Sequence, residues 1–267
     1  MKKKLFALFM ILTMVLSMGL FTACGGSSSD EGKTFIMGID PEYPPFSYVG
    51  DDGEYTGFDV EICKAACEKL GWDFEVFGVN WDQKLIQLDS NECDCVWSGM
   101  TILDSMKEEG YVISDPYYDN DQVLVVKEDS GIASKADVEG KAVAVQLGTS
   151  GETLLQEDLA DWAGTFSDLV TCDSFPKCFA ELAGGAVDAV FVDAPVAAAY
   201  VAENAGFKII DEDFGVEQYG IAFRSGDQEL CDAIQGAVAK LVEDGTYAEI
   251  ASKPEYAEIK DNLLFLK

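Results

Sequence analysis

The chain has 267 residues, 48% of them hydrophobic, and a formal net charge of −31 from 18 basic against 49 acidic residues. So large an apolar share excludes a disordered acidic tail, and so little positive charge excludes a nucleic-acid surface, whose phosphates demand Lys and Arg. There is no histidine, which removes Ser/His and Cys/His dyads and His-ligated metals, and the one arginine is Arg224.

The N-terminus reads as a targeting segment. Lys2, Lys3 and Lys4 precede a stretch, residues 5–20, that is apolar apart from Thr13 and Ser17, and Phe21-Thr22-Ala23-Cys24 follows. A basic start, an apolar centre and a small-residue exit describe a secretory signal, shorter than the roughly 20 apolar residues of a spanning helix. Thr22-Ala23-Cys24 resembles a bacterial lipobox, which implies removal of residues 1–23 and lipidation of Cys24. Residues 24–33 then form a Gly/Ser-rich flexible tether. Losing three lysines and no acid leaves the remainder more acidic still, so anionic headgroups would not hold it and the acyl chains would. The surplus acid itself reads as a solvated surface.

Residues 34–39 have strand character, and 40–46 form a Pro-broken loop. Over 58–70, Cys63, Ala66, Cys67 and Leu70 fall at i, i+3, i+4 and i+7 ahead of Gly71, which predicts an amphipathic helix with a glycine stop. A strand over 72–77, a helix over 82–88 and a strand over 95–97 complete a β-α-β-α-β alternation. Such alternation implies parallel strand pairs covered by helices. The pattern restarts with strands over 122–127, 141–146, 169–171, 188–192 and 208–210. Between them come helices over 133–138, after Gly148-Thr149-Ser150-Gly151, over 174–183 and over 195–204. A strand over 219–223 follows, and Leu230, Ile234, Val238, Leu241 and Val242 mark the apolar face of a long helix ending at Gly245. The length beyond the tether suits two domains of ordinary size.

Past Cys24 there are seven cysteines, an odd number that cannot all pair within one chain. No C-x-x-C occurs, and Cys93-Asp94-Cys95 alone does not make a zinc site, so neither metal nor cofactor is expected. Cys172 and Cys178 flank a strand-to-helix turn and are the pair placed for a bridge. Cys63 and Cys67 read as core.

Seven segments carry a further signal: GIDPEYPPF (38–46), GFDVEI (57–62), DCVWSGMTI (94–102), SDPYY (114–118), VAVQLGTSG (143–151), DAVFVDAP (188–195) and YGIAF (219–223). In this order they resemble the polar-amino-acid family of periplasmic solute-binding proteins, the glutamine-, histidine- and lysine/arginine/ornithine-binding type, from about residue 34 to 250. The resemblance implies a two-lobe α/β fold with two hinge-crossing strands and a ligand cleft between the lobes. Residues 34–120 and 217–267 would form one lobe and 124–214 the other, with crossings near 121–123 and 216–218. It implies an extracytoplasmic, lipid-anchored monomer of an ABC importer, not an enzyme. The protein would close on a small polar solute, foremost an amino acid, and hand it to permease subunits in the membrane. Rival readings are a cyclohexadienyl dehydratase-like enzyme on the same fold, or a binder of an amine that is not an amino acid.

By the same resemblance, Tyr43 and Trp81 are the aromatic walls, and Gly99 and Thr101 hold the ligand's α-ammonium and carboxylate. Thr149 and Ser150, at a helix start, either receive a carboxylate or cap the helix. Asp193 pairs with the ammonium or caps its own helix. Asp40 and Gln146 meet the ligand side chain. One departure stands out: relatives read Thr-Ile-Thr-x-x-Arg where this chain has Thr101-Ile102-Leu103-Asp104-Ser105-Met106-Lys107. Lys107 is the expected substitute for the missing carboxylate-binding arginine. The competing expectation is that Met106 forms an apolar wall against an amine.

Overall fold

The computed structural model describes residues 32–267. The expected signal segment, Cys24 and most of the tether lie outside the described residues. The first sheet opens with Thr34–Ile39 (β1). Glu42–Tyr43 (β2) forms within the expected loop over 40–46, and with Ser47–Val49 (β3) and Tyr55–Thr56 (β4) it makes a small antiparallel sheet. The predicted helix is Phe58–Leu70 (α1), with Cys63, Ala66 and Cys67 buried on one face. Asp73–Gly78 (β5), Lys84–Asp89 (α2), Cys95–Thr101 (β6), Asp104–Glu108 (α3) and Val112–Ile113 (β7) follow. β1 runs parallel to both β5 and β6, as the alternation requires.

Tyr118–Lys127 (β8) leaves this sheet for a second one. There Ala142–Gln146 (β9), Ser150–Gln156 (α4), Ala160–Ala163 (α5), Asp168–Cys172 (β10), Phe175–Gly184 (α6), Ala189–Asp193 (β11), Ala194–Glu203 (α7) and Phe207–Ile210 (β12) alternate in turn. Val216–Phe223 (β13) returns to the first sheet, and Gln228–Glu243 (α8) with Thr246–Ala251 (α9) packs on α1. The strand order is β10-β9-β11-β8-β13-β6-β1-β5. β8 and β13 pair antiparallel from Tyr118↔Tyr219 to Asp121↔Val216. Beyond that pairing β8 belongs to β11 and β12, and β13 to β6 and β7. The chain therefore has two α/β lobes sharing one pair of strands.

Local chemistry explains the departures. Over 133–138 a short 3-10 turn, Lys135–Val138, replaces the expected helix. Asp137 Oδ2 accepts from Ala133 N (3.0 Å) and Ser134 Oγ (2.9 Å), closing a turn in competition with helical bonding. The expected helix over 82–88 divides into a 3-10 turn at Trp81–Gln83 and α2. α3 and α5 are too short to show a helical period in sequence. The Cys172–Cys178 bridge is not formed: all seven cysteines of the described residues are free and buried, acting as small apolar core residues.

Asp59, fully buried near the start of α1, joins that helix to the end of β6. Its Oδ2 accepts from Gly99 N (2.8 Å) and the Tyr117 hydroxyl (2.7 Å). Burial raises its carboxyl to about 7, against the pull of these donors. Unfolded Asp59 loses its proton near 3.8 while the folded form keeps it until about 7, so this group's contribution to stability declines as pH rises through that window. Asp59→Asn should remove roughly 4 kcal/mol of that decline. Denaturant titrations at several pH values read it directly, and identical slopes for both proteins would refute the assignment.

Candidate functional site

The C-terminal ends of β1, β6, β9 and β11 converge between the lobes, the place where open α/β sheets present their loops. Of the ten expected ligand-binding residues, nine line one cavity there: Asp40, Tyr43, Trp81, Gly99, Thr101, Gln146, Thr149, Ser150 and Asp193. Lys107 does not. The cavity leaves about 20 Å³ for the centres of water molecules, room for little more than one. An amino acid needs far more, so its entry must widen the cleft and replace bonds now made across it.

Those bonds are specific. Gln146 Nε2 donates to Asp40 Oδ2 (2.9 Å), and Thr101 Oγ1 donates to Ser150 Oγ (3.1 Å). Asp40 is fixed from its own lobe: its N–H donates to Ser98 Oγ (3.0 Å), and its Oδ1 accepts from Glu42 N (2.9 Å). Burial raises the Asp40 carboxyl, while the Gln146 bond and the charge of Lys84 oppose that rise. Gln146 Oε1 is buried with no donor. An unpaired buried acceptor is costly and points to a donor-bearing ligand. Thr149 caps α4, accepting from Glu152 N (3.2 Å) and donating to Gln146 O (2.8 Å). Glu152 in turn accepts from Gly148 N (2.7 Å), so the capping role is present. Gly148 has φ +75, and a Cβ there would meet Asp82 Cα of the other lobe at 2.6 Å, so only glycine permits this closure.

Asp193 stands at the N-cap position of α7, yet its side chain makes no capping bond. It turns inward, where its Oδ1 accepts from Asn120 Nδ2 (2.8 Å) and Gln122 Nε2 (2.6 Å). Burial first, and then the neighbouring Glu217 carboxylate, push the Asp193 carboxyl well above the usual range. A buried acid supplied only with neutral amide and hydroxyl donors suits a cationic partner. Tyr43 flanks it, its hydroxyl sharing a 2.7 Å hydrogen bond with that of Tyr219 and its ring 6.0 Å from Phe175.

Lys107, the expected substitute for the missing arginine, lies outside the cavity. α3 turns Met106 into the cavity wall and leaves the Lys107 side chain 54% exposed beside Asp104, 3.6 Å away. Adjacent residues on a helix point about 100° apart, so both could not face inward. Arg224 is held in the first lobe by the carbonyls of Leu88 (3.3 Å) and Cys93 (2.6 Å) and by the carboxylates of Asp94 (3.3 Å) and Asp227 (2.9 Å). Among the described residues the cation that lines the cavity is Lys84, which the sequence reasoning missed. Its Nζ donates to Trp81 O (3.2 Å) and, across the cleft, to Gly148 O (2.7 Å), and lies 4.6 Å from the Trp81 ring centroid. Burial lowers its ammonium to about 8, while Asp82, Asp40 and Glu152 hold it up. The available signal was a lysine four residues before Leu88, on the helix face that Leu88 buries. Phe175 was missed too.

The family described as bacterial extracellular solute-binding proteins, family 3, matches residues 35–253. The L-cystine-binding protein of Escherichia coli K12 is 34% identical over 226 residues, covering 84% of this chain and 83% of that protein. The arginine-binding extracellular protein of Bacillus subtilis is 34% identical over 238 residues, covering 87% and 91%. Among solved structures, an ancestral arginine-binding protein bound to arginine is 39% identical with a TM-score of 0.75, covering 83% of this chain and 97% of its own.

Gly99 tests how tightly the site is built. Its φ is +54, and a Cβ would sit 2.3 Å from Tyr43 Cε1, so Gly99→Ala must move the ring or the strand end. A strained position costs about 1–3 kcal/mol. The melting temperature should fall, and ligand-induced stabilisation should fall further because Tyr43 is displaced. An unshifted melting temperature would contradict the packing described.

Proposed function

The chain belongs to the bacterial extracellular solute-binding proteins of family 3, and on that footing we propose that it captures an amino acid by closing two lobes and delivers it to an ABC importer. One observation carries the reading: partners for both charges of an α-amino acid meet in a single buried cleft. Asp193 takes the ammonium, beside Tyr43. Lys84 takes the carboxylate together with Thr101, Ser150 and the backbone N–H groups that open α4. Closure desolvates these contacts and strengthens them. Trp81 and Met106 supply apolar wall, Gly99 leaves room for Tyr43, and Asp40 with Gln146 receives the side chain. The unpaired Gln146 Oε1 favours a side chain that ends in an N–H donor. Relatives named for cystine and arginine support a polar amino acid.

The lobes are assigned as 34–120 with 217–267 and 124–214, turning about 121–123 and 216–218. Among the described residues no helix is long and apolar enough to cross a membrane. Attachment is assigned to a lipid on Cys24, and the transport partners are permease subunits that read the closed shape of a monomer. The relatives named above are named as binding proteins, while an ancestral amino acid-binding protein described as a precursor of cyclohexadienyl dehydratase is 33% identical with a TM-score of 0.73, so the dehydratase alternative is tested directly. Failure to turn over prephenate or arogenate is the expected control.

A thermal-shift screen of the purified protein against the common amino acids, polyamines and short peptides tests the main reading. A ligand at 100 times its Kd stabilises by about 2.7 kcal/mol. For the amino acid that binds, Lys84→Ala should weaken affinity at least ten-fold, on the scale of a charge-assisted contact of about 1.5–3 kcal/mol, while Lys107→Ala leaves it unchanged. Wild-type affinity should also fall as pH rises past about 8, where Lys84 loses its proton. The reverse ranking of the two lysines would overturn the carboxylate assignment.

The anchor is tested separately. Cys24→Ser should abolish incorporation of labelled fatty acid in the native host. Unchanged labelling would remove Cys24 from consideration.

A further inference from the structure

Two carboxylates meet where the crossing strands pass from one lobe to the other. Asp193 closes β11 opposite Gln122 of β8, and Glu217 of β13 stands opposite Asn120 of β8. Asn120 and Gln122 are two residues apart and so share one face of their strand. Each of their amide nitrogens donates to both acids. Asn120 Nδ2 lies 2.8 Å from Asp193 Oδ1 and 2.7 Å from Glu217 Oε1, and Gln122 Nε2 lies 2.6 Å and 3.0 Å from the same two oxygens. Four bonds use all four amide hydrogens, and none brings a positive charge.

The surroundings add none either. Tyr43 from β2, Tyr118 from β8 and Tyr219 from β13 border the site, and Asp119, Asp121, Asp211 and Asp213 crowd the same hinge. Lys267 is bound to Asp119 (2.6 Å), and Lys84 is bound to the Trp81 and Gly148 carbonyls. Asp193 is buried and Glu217 half-buried, so beside the Glu217 carboxylate and with no cation to join them Asp193 ionises only at high cost.

We propose that Glu217 is a second acid of the ammonium subsite: without ligand, the Glu217 carboxylate drawn to the same donors keeps a proton on Asp193, and the ligand's ammonium takes that proton's place and releases it to solvent. The charge balances. The protonated pair carries one negative charge; with the proton gone it carries two, offset by one from the ammonium. The inference rests on Asp193 as the ammonium partner. Capture then releases a proton, so affinity rises with pH up to about 8, where the loss of the Lys84 proton reverses the trend. A neutral N-acylated ligand cannot displace the proton.

The test separates the two layers. Carbon-13 carboxyl NMR of the ligand-free protein should show, besides the Asp59 carboxyl that titrates near 7, a second carboxyl that keeps its proton at pH 7 and titrates at lower pH in Glu217→Gln. If no carboxyl other than that of Asp59 ionises above pH 5, the proton on Asp193 is refuted. Calorimetry with L-arginine, L-histidine and L-cystine, each in buffers of different ionisation enthalpy at pH 7, should show about one proton released per ligand bound, and distinctly less in Glu217→Gln. Binding without proton release overturns the displacement. A protonated Asp193 in a protein that neither these three nor any other common amino acid stabilises overturns the amino-acid reading and the displacement with it, while the proton on Asp193 stands. Circular dichroism melts check that Glu217→Gln is folded.

Discussion

The two lobes share backbone along the antiparallel pairing of Tyr118–Asp121 with Val216–Tyr219, and the cleft exists because of it. The pairing brings Tyr118 against Tyr219, whose rings stack 5.2 Å apart, and Phe46 meets both edge-on. That aromatic block fixes the crossing strands to the first lobe. From it Tyr219 reaches Tyr43 in the cleft wall, and β8 runs on to set Gln122 beside Asp193. A one-residue slip would turn Asn120 and Gln122 to the opposite face and strip both acids of their donors. Register at the hinge is thus also chemistry at the site.

The electrostatics follow the same logic at two scales. The large acid surplus is spread over the surface, where water screens it. The cleft is different, because Asp40 and Asp193 are buried with neutral amides for company and one lysine lines the wall. Low solvation makes each of those charges consequential. Lys84 bonds carbonyls from both lobes, so the ammonium that would meet a carboxylate also joins the lobes. Ligand and closure then compete for, or share, the same donors.

Much of the site was legible because its residues sit in strand-end motifs whose order survives in one dimension. Tyr43, Gly99, Thr101, Gln146, Thr149, Ser150 and Asp193 all fall in such segments and all line the cavity. The errors came where sequence distance stood in for spatial distance. Lys107 is near the motif yet faces solvent, because the short helix α3 rotates Met106 inward instead. Lys84 lies outside the motif segments and reached the cleft because α2 buries the face it shares with Leu88. Cys172 and Cys178 flank a bend as expected, yet both remain buried thiols.

Alternation of strand and helix patterns, the glycine stop after α1, the apolar face of α8 and the order of the motifs determined the fold class and most cleft residues without coordinates. These are local signals, set by backbone periodicity and turn chemistry. The tertiary structure alone decided which cation enters the cleft, that Asp193 turns inward without capping its helix, and that Glu217 shares its donors. Each of these depends on which face of an element the packing buries and on strand register across nearly a hundred residues of chain, and neither is written in spacing along the sequence.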